Sequence, residues 1–151
     1  MIKISEGADV LDLLDQITMK PYRYERVVIS SPFIDDDMFS RIALLARATT
    51  RSRCKLWLIT TPSLADRLTL HFQRSPAPAR ANIVARARLH AKLYLAVDQQ
   101  GTHSEAIVTS ANLTRAGTGG NIELGVRIAS TSLPGRLLLR QLRDFVRRLA
   151  A

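Results

Sequence analysis

Short apolar runs rich in β-branched residues alternate along this chain with stretches whose apolar residues recur at helical spacing, and that alternation restricts it to an α/β arrangement. The spacing predicts a first helix over Gly7 to Thr18, with Val10, Leu11, Leu13, Leu14 and Ile17 on its apolar side. Val27 to Ser30 reads as a buried strand ended by Ser31-Pro32, after which Asp35, Asp36 and Asp37 open a helix with Phe39, Ile42, Leu45 and Ala46 facing inward. Lys55 to Thr60 is the next strand. Ser63 is the expected cap of a helix running to about Gln73, with Leu64, Leu68 and His71 or Phe72 on its core side. Ser75 to Pro78 reads as a turn. Further strands are predicted at Asn82 to Ala87, Leu89 to Val97, Glu105 to Thr109 and Asn121 to Ala129, and Ser132-Leu133-Pro134 leads into a last helix ending near Ala150. There is no internal repeat. At 151 residues the expectation is one domain over 1–151, a mixed β-sheet flanked by helices on both faces.

Composition narrows the class of partner. Hydrophobic residues at 46% and charged residues at 23% are ordinary for a globular chain. No apolar run approaches the ~18 residues of a spanning helix. Met1 to Val10 carries Glu6 and Asp9 and no apolar stretch, so no secretory leader is expected. Cys54 is alone, which excludes an intrachain disulfide and a multi-cysteine metal cluster. The expectation is a cytoplasmic domain with no membrane partner and no cofactor. Lys+Arg is 22 against 13 for Asp+Glu, a net charge of +9. Only four of the cations are lysines (Lys3, Lys20, Lys55 and Lys92), so arginine supplies 18. Guanidinium pairs well with phosphate, so this balance suggests a polyanion; a genome that favours arginine codons would produce it too.

One run of residues points to chemistry. Leu89 to Val97 alternates so that His90, Lys92 and Tyr94 share one face of the predicted strand, with Leu89, Leu93, Leu95 and Val97 on the other. Alone, His90 and Lys92 would be a solvated polar face. The next apolar strand, however, ends in Thr109-Ser110-Ala111-Asn112, where Ser110 and Asn112 point the same way. After a flexible Gly117 to Gly120 stretch, Asn121 and Glu123 share a face of the following strand. A histidine, a lysine, a hydroxyl, an amide and a carboxylate thus fall on three successive strands.

In this ordered set the chain resembles the phospholipase D-like superfamily. The matching residues are His90-Ala91-Lys92, then Thr109-Ser110-Ala111-Asn112, then Glu123, and Ser30-Ser31-Pro32-Phe33-Ile34 resembles the family's early strand and loop. The likeness spans roughly Val27 to Ile128. Two positions depart from the pattern. Val97 stands where the family has an aspartate, with Asp98 one residue later, and Thr109 stands where a glycine precedes the serine. A one-residue shift reverses the face of a regular strand, so Asp98 replaces that aspartate only through a bulge or the strand's end.

The resemblance implies a phospholipase D-like single domain that cleaves phosphodiesters without a metal through a covalent phosphohistidine. His90 would be the nucleophile, and Glu123 is the candidate for the group that orients it. Lys92 and Asn112, with Ser110 as a further donor, would hold the non-bridging oxygens. The mechanism needs a second histidine, and neither His71 nor His103 lies in a His-x-Lys context. The resemblance therefore implies a homodimer in which two copies of His90 meet across a two-fold axis. Charge favours nucleic acid as substrate, DNA ahead of RNA, with a partner protein as a further source of specificity. Arg86, Arg88 and Arg115 are the expected phosphate contacts. Arg136, Arg140, Arg143 and Arg147 form a basic stripe on the last helix opposite an apolar side of Leu138, Leu142, Phe145 and Leu149. Asp35 to Asp37 read as a helix start, ahead of a metal site. Two other readings stand beside the nuclease: a non-catalytic nucleic-acid-binding or oligomerisation module with the same fold, and a phospholipid phosphodiesterase.

Overall fold

Two strand–helix–strand crossovers build the parallel half of the sheet. Strand β2 (Tyr24–Ser30) passes through helix α2 (Asp36–Arg51) to β3 (Lys55–Thr60), which passes through α3 (Pro62–Gln73) to β4 (Asn82–Ala85). β2 pairs parallel to β3 and β3 parallel to β4. The other half is antiparallel: β5 (Leu93–Asp98) lies against β2, and β6 (Glu105–Thr109), β7 (Gly125–Ala129) and β1 (Ile2–Ser5) follow outward. The order is β1-β7-β6-β5-β2-β3-β4. These relations come from a computed structural model that describes residues 1–75 and 79–151; Pro76 to Pro78 of the turn expected at Ser75 to Pro78 lie outside the described residues.

Each face of the sheet carries its own apolar cluster. On one, Val27, Ile29, Leu56, Leu58, Tyr94 and Ile107 pack against α1 (Gly7–Met19), α2 and α3. On the other, Val28, Ile59, Leu93, Leu95, Val97 and Ile128 pack against Leu139 and Val146 of α4 (Leu133–Ala150). Residues adjacent in β2 and β5 therefore divide between two cores, which is why both strands are apolar throughout. The mixed sheet with helices on both faces is the architecture expected from the sequence.

Several boundaries differ, each for a physical reason. β1 is an added edge strand whose residues are mostly exposed, so it carries little apolar signal. α3 begins at Pro62 with Thr61 as its N-cap, not Ser63, because proline suits the first helical position. β4 stops at Ala85, short of Ala87. β5 begins at Leu93: Ser30, the last residue of β2, pairs with Leu93, and no strand continues beyond it. His90 and Lys92 thus precede the strand, outside any regular element. β7 begins at Gly125, which leaves Asn121 and Glu123 in the loop before it. The apolar side of α4 is rotated: Leu139 and Val146 are buried, whereas Leu138 and Phe145 are exposed. Among the described residues no helix is long and apolar enough to cross a membrane.

Candidate active site

The residues singled out above converge on one end of the sheet, where β2, β3 and β4 finish. In open α/β sheets this carboxyl end of the parallel strands is where crevices form and ligands bind. Its backbone connections are specific. The Ser30 hydroxyl donates to the Ala91 carbonyl at 3.0 Å, fixing the residue between His90 and Lys92. The Thr109 N–H donates to the Lys92 carbonyl at 3.2 Å, and the Ser110 N–H to the Leu124 carbonyl at 3.0 Å. The segments bearing His90 and Lys92, Ser110 and Asn112, and Glu123 therefore lie side by side.

The His90 side chain is exposed and makes no hydrogen bond among the described residues. Lys92 is half-buried, and its ammonium donates to the His90 carbonyl at 3.3 Å. Ser110 donates to the Glu123 carboxylate and accepts the Leu124 N–H at 3.2 Å, while the other Glu123 oxygen takes the Asn121 amide at 3.4 Å. Glu123 is thus held by Ser110 and Asn121, and the imidazole is not among its partners. Asn112 is half-buried, and its Oδ1 is shut away from solvent without a donor. An orphaned acceptor at such a place marks a site whose hydrogen bonding is incomplete.

Behind these groups stands a support that the motif alone does not show. Tyr94, of the same strand parity as His90 and Lys92, is buried, and its hydroxyl donates to the Ala111 carbonyl at 3.2 Å. It thereby fixes the residue between Ser110 and Asn112; burial holds its phenol far above the usual tyrosine range. Ser31 accepts the Leu113 N–H at 3.0 Å and donates to the Phe33 carbonyl at 2.7 Å, tying the loop after β2 to the loop after β6. The alternation that paired His90 with Lys92 also pointed to Tyr94, and the Ser30-Ser31 pair stood in the early loop.

The arginines separate. Arg88 is exposed and takes a left-handed backbone, φ 60°, two residues before His90. Arg115 is exposed, with its N–H donating to Asp35 at 2.6 Å and its guanidinium 4.0 Å from Asp37. Arg86 instead turns to the last helix, its Nε donating to the Leu149 carbonyl at 2.7 Å. On α4, Arg136 donates to the Ser130 carbonyl, Arg143 lies 3.8 Å from Glu25 and Arg147 pairs with Asp144. Asp35 caps α2 by accepting the Met38 N–H, and Asp36 pairs with Arg67. Among the described residues no three His, Cys, Asp or Glu side chains converge as a metal site would require. Asp98 lies at the far end of β5 and takes no part in this cluster.

Neither a protein-family model nor a curated protein sequence matches the chain. Solved structures do. NucT from Helicobacter pylori superposes with a TM-score of 0.66 at 13% identity, covering 99% of this chain and 96% of that one. Nuc from Salmonella typhimurium, a phospholipase D family member, superposes with a TM-score of 0.55 at 13% identity over 95% and 91% of the two chains. The chain has a phospholipase D-like fold. The same fold is found in a larger setting, since polyphosphate kinase from Porphyromonas gingivalis matches 95% of this chain with 26% of its own length, at a TM-score of 0.62 and 14% identity. In the phospholipase D-like fold of this chain, the exposed imidazole and the half-buried ammonium stand where the parallel strands end.

Proposed function

We propose that this chain is a metal-independent phosphodiesterase that cuts nucleic acid through a phosphohistidine, with a site completed by a second copy of itself. The observation that carries this reading is the gathering of His90, Lys92, Ser110, Asn112 and Glu123 at one sheet end. A neutral His90 nitrogen attacks phosphorus, the P–N bond forms, and the P–O bond to the leaving strand breaks. His90 of the second copy gives its proton to that oxygen, then takes a proton from water as the water attacks phosphorus. The P–N bond breaks, leaving a phosphate monoester and free His90. Lys92 and the Asn112 amide supply donors to the non-bridging oxygens, where negative charge gathers. Glu123 acts on the site through Ser110.

Two features support the partners. A net charge of +9, with Arg88 and Arg115 exposed near the site, suits a phosphate backbone. For the second copy, Ile4, Val126, Val108 and Leu93 pair in turn across four strands on the α4 face. In this row Leu93 is buried and Val126 half-buried, whereas Val108 is 40% and Ile4 68% exposed, so apolar surface is presented at β6 and at the β1 edge. The names of NucT and Nuc agree with this reading, and the first test is cleavage of plasmid, single-stranded DNA and RNA in excess EDTA. The wild type is expected to cut, and His90→Ala to lose cutting while keeping its melting temperature. Normal cleavage by His90→Ala would overturn the mechanism. Salt-sensitive binding without cleavage would leave the non-catalytic binding module.

A further inference from the structure

The end of the sheet opposite His90 holds a cavity of about 270 Å³, below the ~300–1,000 Å³ of a typical drug-sized ligand site. It lies where α1 ends, where β2 begins and where the β5–β6 hairpin turns. Lys20, Arg23 and His103 line it, and none of their side chains forms an ion pair among the described residues. Ser130, 3% exposed, also lines it, and its hydroxyl is buried without a partner. Tyr24, 5% exposed, is a fifth lining group, kept protonated by burial and by the Glu105 carboxylate nearby. The acid in the wall, Glu105, is paired with an arginine: its Oε2 accepts from Arg127 Nε at 3.0 Å and from Arg127 Nη2 at 2.6 Å.

We infer that this cavity is a binding site for a small phosphate group, with Arg23 and Lys20 supplying charge and His103, Ser130 and Tyr24 supplying further donors. A buried hydroxyl without a partner costs free energy unless something completes it, and here Lys20, Arg23 and His103 bring donors to the same wall. An oxyanion accepts from all of them, and charge-assisted bonds from guanidinium and ammonium are the strong kind. The volume admits a phosphate with room beside it for several waters or for part of a larger group that carries the phosphate. Free inorganic phosphate and the terminal phosphate of a nucleic-acid strand share that chemistry. The inference does not depend on how His90 acts.

Titration calorimetry of the full chain with inorganic phosphate tests it, in a Lys92→Ala background so that phosphate held beside His90 does not count. Binding is expected with a dissociation constant of about 1 mM or tighter. It should weaken about tenfold in Lys92→Ala/Arg23→Ala and several-fold in Lys92→Ala/Ser130→Ala. Arg23 is exposed, and Ser130→Ala removes an unpaired group, so neither change should lower the phosphate-free melting temperature. No binding in the Lys92→Ala background, or equal binding after Arg23→Ala, overturns the site. A 5′-phosphorylated trinucleotide that binds more tightly than free phosphate, while its 5′-hydroxyl form does not bind, identifies a strand end as the source. Equal or weaker binding of the phosphorylated form identifies free phosphate.

Discussion

Gly125 faces Thr109 in the β6–β7 pair, and a Cβ placed on it would lie 2.7 Å from the threonine Cβ and 2.8 Å from the Val108 carbonyl oxygen. Neither atom can retreat, because Val108 and Thr109 are fixed in the ladder. Gly125→Ala should therefore destabilise the fold by about 1–3 kcal/mol, read as a lower urea midpoint. Thr109→Gly in the same chain should restore part of the loss, and no restoration would mean that the Val108 carbonyl sets the cost. Gly125 thus leaves the room that the Thr109 side chain occupies on the opposite strand. Sequence showed both residues but not their register, so it could not reveal that they answer each other. His90, Lys92, Ser110 and Asn112 were legible because their spacing is short. The Ser110 bond to Glu123 was not, because it spans the Gly117 to Gly120 turn. Glu123→Gln weakens that contact by removing charge while keeping its shape, and is expected to lower the cleavage rate with little change in melting temperature.

The β5–β6 hairpin is organised by Asp98. Its carboxylate accepts from the Thr102 N–H and hydroxyl at 3.2 Å each, from the His103 N–H at 2.9 Å and from the Ser104 hydroxyl at 3.1 Å. Burial would raise its pKa, but these bonds outweigh it and hold the group below its ordinary 3.8. The carboxylate's contribution to stability is thus complete above the unfolded value and is lost as pH falls through the lower folded value. Asp98→Asn should cost about 1–3 kcal/mol at neutral pH, and should flatten the fall in stability below pH ~4 seen by urea titration. A mutant with the wild-type acid profile would show that Asp98 is not the group responsible. The one-residue shift from Val97 places this aspartate at the strand's end, as expected if it could not stay on the regular face. At element scale the helices were legible from their spacing. Strand ends were not, because β5 starts where its neighbours stop pairing and not where its own alternation stops.

Taken as a whole, the molecule places its proposed chemistry at one sheet end, beside an apolar row that runs to the β1 edge. If each site needs a histidine from both copies, mixing wild type with His90→Ala after subunit exchange should lower activity as the square of the wild-type fraction. Independent sites would give a linear fall, so a dilution series of mixtures decides between them. Val108→Lys should weaken self-association in sedimentation runs and lower activity at the same protein concentrations. The layers were legible in the sequence because β2 and β5 are apolar on both faces, one face for each core. The exposed row was not, since β1 carries no strong pattern and its pairing with β7 spans nearly the whole chain.

One guanidinium joins the end of the last helix to the segment that carries the exposed imidazole. Arg86 holds the Leu149 carbonyl at 2.7 Å, and between Arg86 and His90 the chain passes through the left-handed Arg88. Fraying of the final turn of α4 frees that guanidinium and, with it, the start of the His90 segment. Amide exchange at Arg88 to His90 should accordingly keep time with exchange at the end of α4. The orientation of His90 is then set partly by how often the last turn of α4 opens.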